Sequence, residues 1–206
     1  MAAQPLWESS GTCQHFLSSH ALICLSHLRW DLVFQRPQHL MTRFAAAMPV
    51  YFIEEVCFEE TSQPYLAQFP VAENLTVLVP HLPPAMANAN ASRVQRKLLK
   101  QYFSPLGSAA PVLWFYTPAA LEVAGELPAS LIVYDCMDEL SLFQGAPPAL
   151  RRLEDELLNR ADVVFTGGMS LFEAKCHRHH NVHAFPSAVD AGHFAKARDF
   201  RPDPPD

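Results

Sequence analysis

Ala21-Leu-Ile-Cys-Leu-Ser26, the loop His27-Leu-Arg-Trp-Asp-Leu-Val-Phe-Gln-Arg36, the run Pro37-Gln-His-Leu-Met-Thr-Arg-Phe-Ala-Ala-Ala-Met48 and then Val50-Tyr-Phe-Ile53 decide the fold. A continuous apolar run of strand length is what a parallel strand covered on both faces requires. Pro37 opens a helix, because its fixed φ suits a first turn. Leu40, Met41, Phe44, Ala45 and Met48 then recur at helical spacing, while His39, Thr42 and Arg43 take the other face. The stretch is therefore a strand, a helix packed on a sheet, and a second strand.

Outward from this unit the alternation continues. Residues 75–79, 112–116, 131–134 and 162–165 read as further strands. Residues 92–103 read as a helix with Val94, Leu98 and Tyr102 on one face and a solvated basic face of Arg93, Arg96, Lys97 and Lys100. Residues 149–160 read as another, with Leu150, Leu153, Leu157 and Leu158 inward and the charges outward. Strands alternating with helices imply right-handed crossovers, so the expected fold class is α/β: a doubly wound, Rossmann-like parallel sheet. Pro83-Pro84 and the Ala/Asn run to Ala91 mark a loop. The expected plan is a loosely ordered leader over 1–19, one domain over 20–195, and a Pro-rich linker over 196–206.

Composition agrees with one soluble domain. Of 206 residues 50% are hydrophobic and 17% charged, enough to bury a full core and far from the disordered regime. The net charge of -6, with both signs interspersed, leaves no basic stripe for nucleic-acid phosphates. The first residues lack the apolar run of about 7–15 residues of a secretory signal, and no apolar run reaches the roughly 20 residues that cross a bilayer. A cytoplasmic protein is expected, with peripheral membrane contact left open. Cys13, Cys24, Cys57, Cys136 and Cys176 are odd in number and lack C-x-x-C spacing, which points to a reduced compartment without disulfides. Cys24 falls in a strand pattern and is expected in the core.

In doubly wound sheets ligands bind outside the carboxyl ends of the strands, so the residues after each strand are the candidate site. The loop after the first strand has no glycine, and a dinucleotide site needs G-x-G-x-x-G there to let the backbone approach a pyrophosphate. Glu54 and Glu55 could imitate a ribose-holding acid, but without that turn a nicotinamide site is remote; no G-x-x-x-x-G-K-[ST] exists either. Instead the loop carries His27, Arg29, Trp30, Asp31, Gln35 and Arg36, the mixture of aromatic platform, planar polar groups and forked cation that sugar hydroxyls and phosphates need. The structural alternative is that Trp30 packs on the adjacent helix and Arg36 pairs with a carboxylate.

After the fifth strand, Asp135, Asp138 and Glu139 sit at the cleft edge, where carboxylates orient acceptor hydroxyls or accept a proton from an attacking one. Alternatively Asp138 caps a turn and Asp135 bonds to nearby amides. Their Asp-x-x-Asp spacing is not a metal-binding Asp-x-Asp. Gly167 and Gly168 let the chain leave the sixth strand sharply, and their amides could face a phosphate. Ser170 with Glu173 reads as a capping box. Cys176, His177, His179, His180 and His183 are too close in sequence to converge as a closed zinc site and read as a helix end. No metal ligand is assigned.

Trp30-Asp-Leu-Val-Phe-Gln-Arg-Pro-Gln-His-Leu40, Val133-Tyr-Asp-Cys-Met-Asp-Glu-Leu140 and the series from Ala161-Asp-Val-Val-Phe165 through Ser170-Leu-Phe-Glu-Ala-Lys175 to Val189-Asp-x-x-His-Phe194 together resemble bacterial family 1 or family 4-like glycosyltransferases of the GT-B fold. The match covers residues 21–194. The chain departs from that pattern at Ser187-Ala-Val-Asp190, where relatives usually carry Asn-Gly-Val-Asp. What the resemblance implies is the N-terminal, acceptor-side half of a two-domain enzyme. A nucleotide-sugar donor would be its substrate, with no cofactor and no catalytic metal, and a C-terminal domain would hold that donor. The acceptor would be a saccharide or a lipid-linked hydroxyl in cell-surface polysaccharide or glycolipid assembly. Placed in such a domain, the strand-end residues give Asp135 and Asp138 as candidate catalytic groups and His27, Trp30, Arg36 and Glu139 as candidate substrate contacts. The alternative is a non-catalytic module that binds a saccharide or a partner. An apolar patch where a second domain would dock separates the two readings, since a module would present a polar surface there.

Overall fold

The structure, a computed structural model, describes residues 15–16, 19–87, 90–105, 109–186 and 188–198. Within them the chain runs β1 (Leu22–Leu25), α1 (Arg36–Phe44), β2 (Val50–Ile53), β3 (Cys57–Phe58), β4 (Tyr65–Ala72), β5 (Leu75–Leu82), α2 (Ala91–Phe103), β6 (Val112–Phe115), α3 (Leu121–Ala124), β7 (Leu131–Cys136), α4 (Ala149–Arg160), β8 (Val163–Thr166), α5 (Met169–Lys175), β9 (Val182–Ala184) and α6 (Ala191–Ala195). Most of the expected leader over 1–19, Cys13, Ser187 and most of the expected linker over 196–206 lie outside the described residues.

β1 is the pivot of the sheet. All four of its residues are buried, and it pairs in parallel with β2 on one side and β6 on the other. The order β3-β5-β2-β1-β6-β7-β8-β9 thus grows from β1 in both directions, the mark of a doubly wound fold. Two strands go beyond the sequence reading. β3 pairs with His81 and Leu82, three residues past Leu78, the last partner of β2, and so resumes the line of β2 along β5. β4 runs antiparallel on the other edge of β5, which makes the sheet mixed rather than wholly parallel.

Alternation of side chains across the sheet splits the core in two. Ile23, Leu25, Leu78, Leu113, Phe115 and Tyr134 point to the face covered by Leu99 and Phe103 of α2, Leu121 and Ala124 of α3 and Leu153 and Leu157 of α4. Leu22, Cys24, Phe52, Val77, Trp114 and Tyr116 point to the other face, covered by Met41 of α1 with Ala45, Met48 and Trp30. Each such aliphatic or aromatic side chain contributes about 1.5–3 kcal/mol on full burial.

Three expectations about the helices change. On α2 the buried positions are Gln95, Leu99 and Phe103, while Val94, Leu98 and Tyr102 are only half-buried; Arg96 and Lys100 of the basic face pair with Glu126. On α4 the charges are not all outward, because Glu154 lies on the leucine stripe and is buried with it. α5 begins at Met169 with Gly168 as its N-cap, so Ser170 sits inside the first turn and makes no capping box with Glu173. A glycine can occupy that cap because its carbonyl, accepting from the Phe172 N–H at 3.0 Å, already starts the helix.

Candidate functional site

The sheet reverses its direction of growth between β1 and β6, and the crevice outside their carboxyl ends is where such folds hold ligands. His27 stands there, two residues past the end of β1. Burial lowers its pKa from the ordinary histidine value. The carboxylates of Glu55 and Asp138 and a hydrogen bond with the Tyr116 backbone oppose that effect without reversing it. The imidazole is therefore mainly neutral near pH 7, and its Nδ1 is buried without a partner among the described residues. Two calls from the sequence, His27 and Asp138, thus lie within electrostatic reach of one another and of Glu55, each past the end of a different strand.

Beside this crevice lies a buried fork. Arg36, the first residue of α1, donates from Nε to Asp135 Oδ2 at 3.0 Å and places Nη2 2.9 Å from Oδ1, a close ion pair in which Oδ1 itself makes no aligned hydrogen bond among the described residues. Its Nη1 donates to the Phe185 carbonyl just past β9. Asp135 is 0% exposed, on β7. Burial raises its pKa, and Arg36, Tyr116 and Trp114 act against that rise. Burial likewise pushes the Tyr116 hydroxyl well up, with the Asp135 charge adding to it. The pairing anticipated for Arg36 as the structural alternative is present, and the arginine ties α1 to two strands at once.

Trp30 is also structural: its ring is 8% exposed and meets Phe52 edge-on at 5.0 Å, while its amide donates to Glu54 Oε1 at 2.7 Å. It presents no open platform to a sugar. Glu54, once considered as a ribose-holding acid, spends its other oxygen on Arg29 at 2.9 Å. The Gly167 amide donates to the Cys136 carbonyl at 2.9 Å and does not face a phosphate. Gly167 fits the site closely, since a Cβ there would stand 3.1 Å from the Met137 carbonyl oxygen. A Cβ on Gly168 would meet nothing.

Glu139 belongs to a network that the sequence did not disclose. Lys175, at the end of α5 and 1% exposed, places Nζ 2.6 Å from Glu139 Oε2 and 2.8 Å from Glu154 Oε1. Glu154 also accepts from the Tyr134 hydroxyl at 2.9 Å and pairs with Arg178 at 3.2 Å. Burial works against the Glu154 carboxylate, but Lys175, Tyr134 and Arg178 outweigh it and hold its pKa below the ordinary value. A glutamate inside a leucine stripe, with a lysine ending the next helix, was the available signal.

The histidine segment is likewise occupied. His179 bonds the Ala161 carbonyl at 2.9 Å and the Asn181 amide at 3.1 Å, and His183 bonds Asn181 Oδ1 at 2.8 Å. Asp190 of the Val-Asp-x-x-His-Phe exit caps α6, accepting from the His193 amide at 3.0 Å.

No protein-family model and no curated protein matches the sequence. Solved structures do match the fold. A structure from E. coli described as trehalose-6-phosphate bound with UDP-2-fluoro glucose superposes with a TM-score of 0.58 at 13% identity, over 88% of this chain and 52% of that one. An apo structure of OtsA gives 0.58 at 12% identity, over 88% and 52%. An α,α-trehalose-phosphate synthase (UDP-forming) from Burkholderia xenovorans in complex with glucose-6-phosphate gives 0.57 at 14% identity, over 86% and 51%. The chain shares its Rossmann-like α/β fold with these structures. The chain spans about half the length of the structures it matches.

Proposed function

We propose that this chain is the N-terminal, acceptor-side domain of a GT-B glycosyltransferase. The observation that carries the reading is His27, mainly neutral and with its buried Nδ1 unpartnered among the described residues, at the switch point of the sheet and within electrostatic reach of Glu55 and Asp138. In the complete enzyme an acceptor hydroxyl would attack the anomeric carbon of a nucleotide sugar. The carbon–oxygen bond to the diphosphate would break, and the nucleoside diphosphate would leave. Asp138 and His27 would bind the acceptor hydroxyl and take its proton. Arg36 and Asp135 would hold the crevice floor in place, and Glu139 would position its rim through Lys175. Solved neighbours are bound with UDP-2-fluoro glucose or in complex with glucose-6-phosphate, so hexose phosphates are the first acceptors to try. Cell-surface polysaccharide or glycolipid assembly, in the cytoplasm and close to a membrane, is the setting we favour. Among the described residues no helix is long and apolar enough to cross a membrane.

Exposed apolar side chains favour a second domain over a stand-alone module. Leu32, Val33 and Phe34 follow β1, Leu142 and Phe143 follow β7, Met169 follows β8 and Phe185 follows β9, all on the carboxyl side of the sheet.

Titration of the chain with hexose phosphates, followed by saturation-transfer NMR, tests the reading. Binding is expected, weakened about tenfold or more by His27→Gln or Asp138→Asn, as the loss of a hydrogen bond to a charged group implies. The chain alone should turn over no nucleotide sugar. Absence of any saccharide binding, or binding indifferent to both substitutions, overturns the proposal.

A further inference from the structure

A second constellation lies at the far edge of the sheet. Cys57 on β3 and Tyr65 on β4 are both register partners of His81 on β5, one from each side, so the three side chains stand on one face. Glu59 joins them from two residues past Cys57. The Cys57 sulfur, a Glu59 oxygen and a His81 ring nitrogen all lie within 4.8 Å of one another. His81 Nδ1 is 3.0 Å from Glu59 Oε1, an ion-pair distance out of line for a well-aligned hydrogen bond; it is buried and otherwise without a partner among the described residues. Close approach without hydrogen-bond alignment is the relation that two ligands of one ion have. The supports are also in place: the Tyr65 hydroxyl donates to Glu59 Oε1 at 2.8 Å, and its ring stacks on His81 with centroids 4.7 Å apart and planes 10° from parallel. A tyrosine that orients a ligating carboxylate and packs a ligating imidazole is what outer-shell partners do.

We propose that Cys57, Glu59 and His81 form a binding site for a zinc-class divalent cation. The donor set decides the class. A thiolate, an imidazole and a carboxylate together suit a borderline-soft ion and do not suit calcium or magnesium, which take oxygen ligands. Three protein ligands leave a fourth position for water on the side where Glu59 is exposed. The ion would tie the two-residue strand β3 to β5 through Cys57 and His81. β5 is four strand spacings from β7, about 19 Å at the usual inter-strand distance, so the site is separate from the Arg36–Asp135 fork. It is also independent of the glycosyltransferase reading, and its test needs no turnover.

Binding would displace the Cys57 thiol proton. Cobalt(II) is the probe, because a thiolate ligand gives it a near-ultraviolet charge-transfer band and tetrahedral coordination gives strong visible bands. Titration of the whole chain should saturate at one equivalent, and zinc(II) should bleach the spectrum. Cys57→Ser should remove the charge-transfer band. His81→Gln and Glu59→Gln should each weaken cobalt binding tenfold or more, and Tyr65→Phe by about tenfold. Zinc should raise the melting temperature of the parent chain and raise that of Glu59→Gln by clearly less at the same zinc concentration. Circular dichroism in chelator identifies any variant that fails to fold, and the exposed Glu59→Gln then carries the comparison. A spectrum that never saturates, or one that survives Cys57→Ser but disappears on Cys176→Ser beside the histidine segment, overturns the assignment.

Discussion

At the scale of single residues, the Arg36–Asp135 fork makes the sharpest demand. Removing one member of a buried ion pair leaves the other uncompensated and costs about 3–5 kcal/mol. Arg36→Ala should therefore destabilise the chain by that order, and Asp135→Asn in the same background should restore much of the loss in urea denaturation. The sign of the pH dependence follows from Asp135. Burial raises its carboxyl above the unfolded value near 3.9, and losing Arg36 removes the main opposing charge. Protonation relieves the buried charge, so the penalty of Arg36→Ala should be small near pH 4 and grow as pH rises. His27 behaves in the opposite way. Its folded pKa is depressed, so the stability it contributes is present above about pH 6.5 and falls away as pH drops below that value. His27→Gln should flatten this part of the stability profile, and imidazole proton shifts should titrate below 6.5. Each of these residues was legible as a polar group placed after a strand. Their partnership was not: Arg36 and Asp135 are 99 positions apart, and no local spacing encodes a contact made only when β7 and α1 meet.

At the scale of elements, α4 and α5 are joined by charge rather than by apolar contact alone. Lys175→Met should cost about 3–5 kcal/mol by stranding Glu154 and Glu139, and Lys175→Met with Glu154→Gln should cost less than the single change, a non-additivity that thermal denaturation can read. Because Glu154 titrates below its ordinary value, this contribution is present above about pH 4.3 and is lost as pH falls. The strands β1, β2 and β6 to β8 were readable from continuous apolar runs bounded by polar residues. β4 was not, because seven of its eight residues Tyr-Leu-Ala-Gln-Phe-Pro-Val-Ala pair along only one edge of β5 with most side chains exposed, and Pro70 interrupts the pattern. α5 showed the opposite hazard. Ser170 and Glu173 have the spacing of a capping box, but the tight exit at Gly167 sets the N-cap at Gly168, two residues earlier.

At the scale of the molecule, the carboxyl side of the sheet combines a polar crevice with an apolar fringe. Replacing Leu142 and Phe143 by serine should leave the melting temperature nearly unchanged, since both are exposed, while reducing self-association seen by light scattering. Unaltered association would place the sticky surface elsewhere. The sheet's own margins are built differently. One ends in β9, only three residues long, and the other in β4, where Pro70 withholds an amide and the register with β5 slips before Ala72. A margin so broken cannot template the addition of another chain, strand against strand. Pro70→Val would supply the missing donor and extend a run of β-formers, and the variant chain should convert to fibres that bind thioflavin while the parent stays in solution.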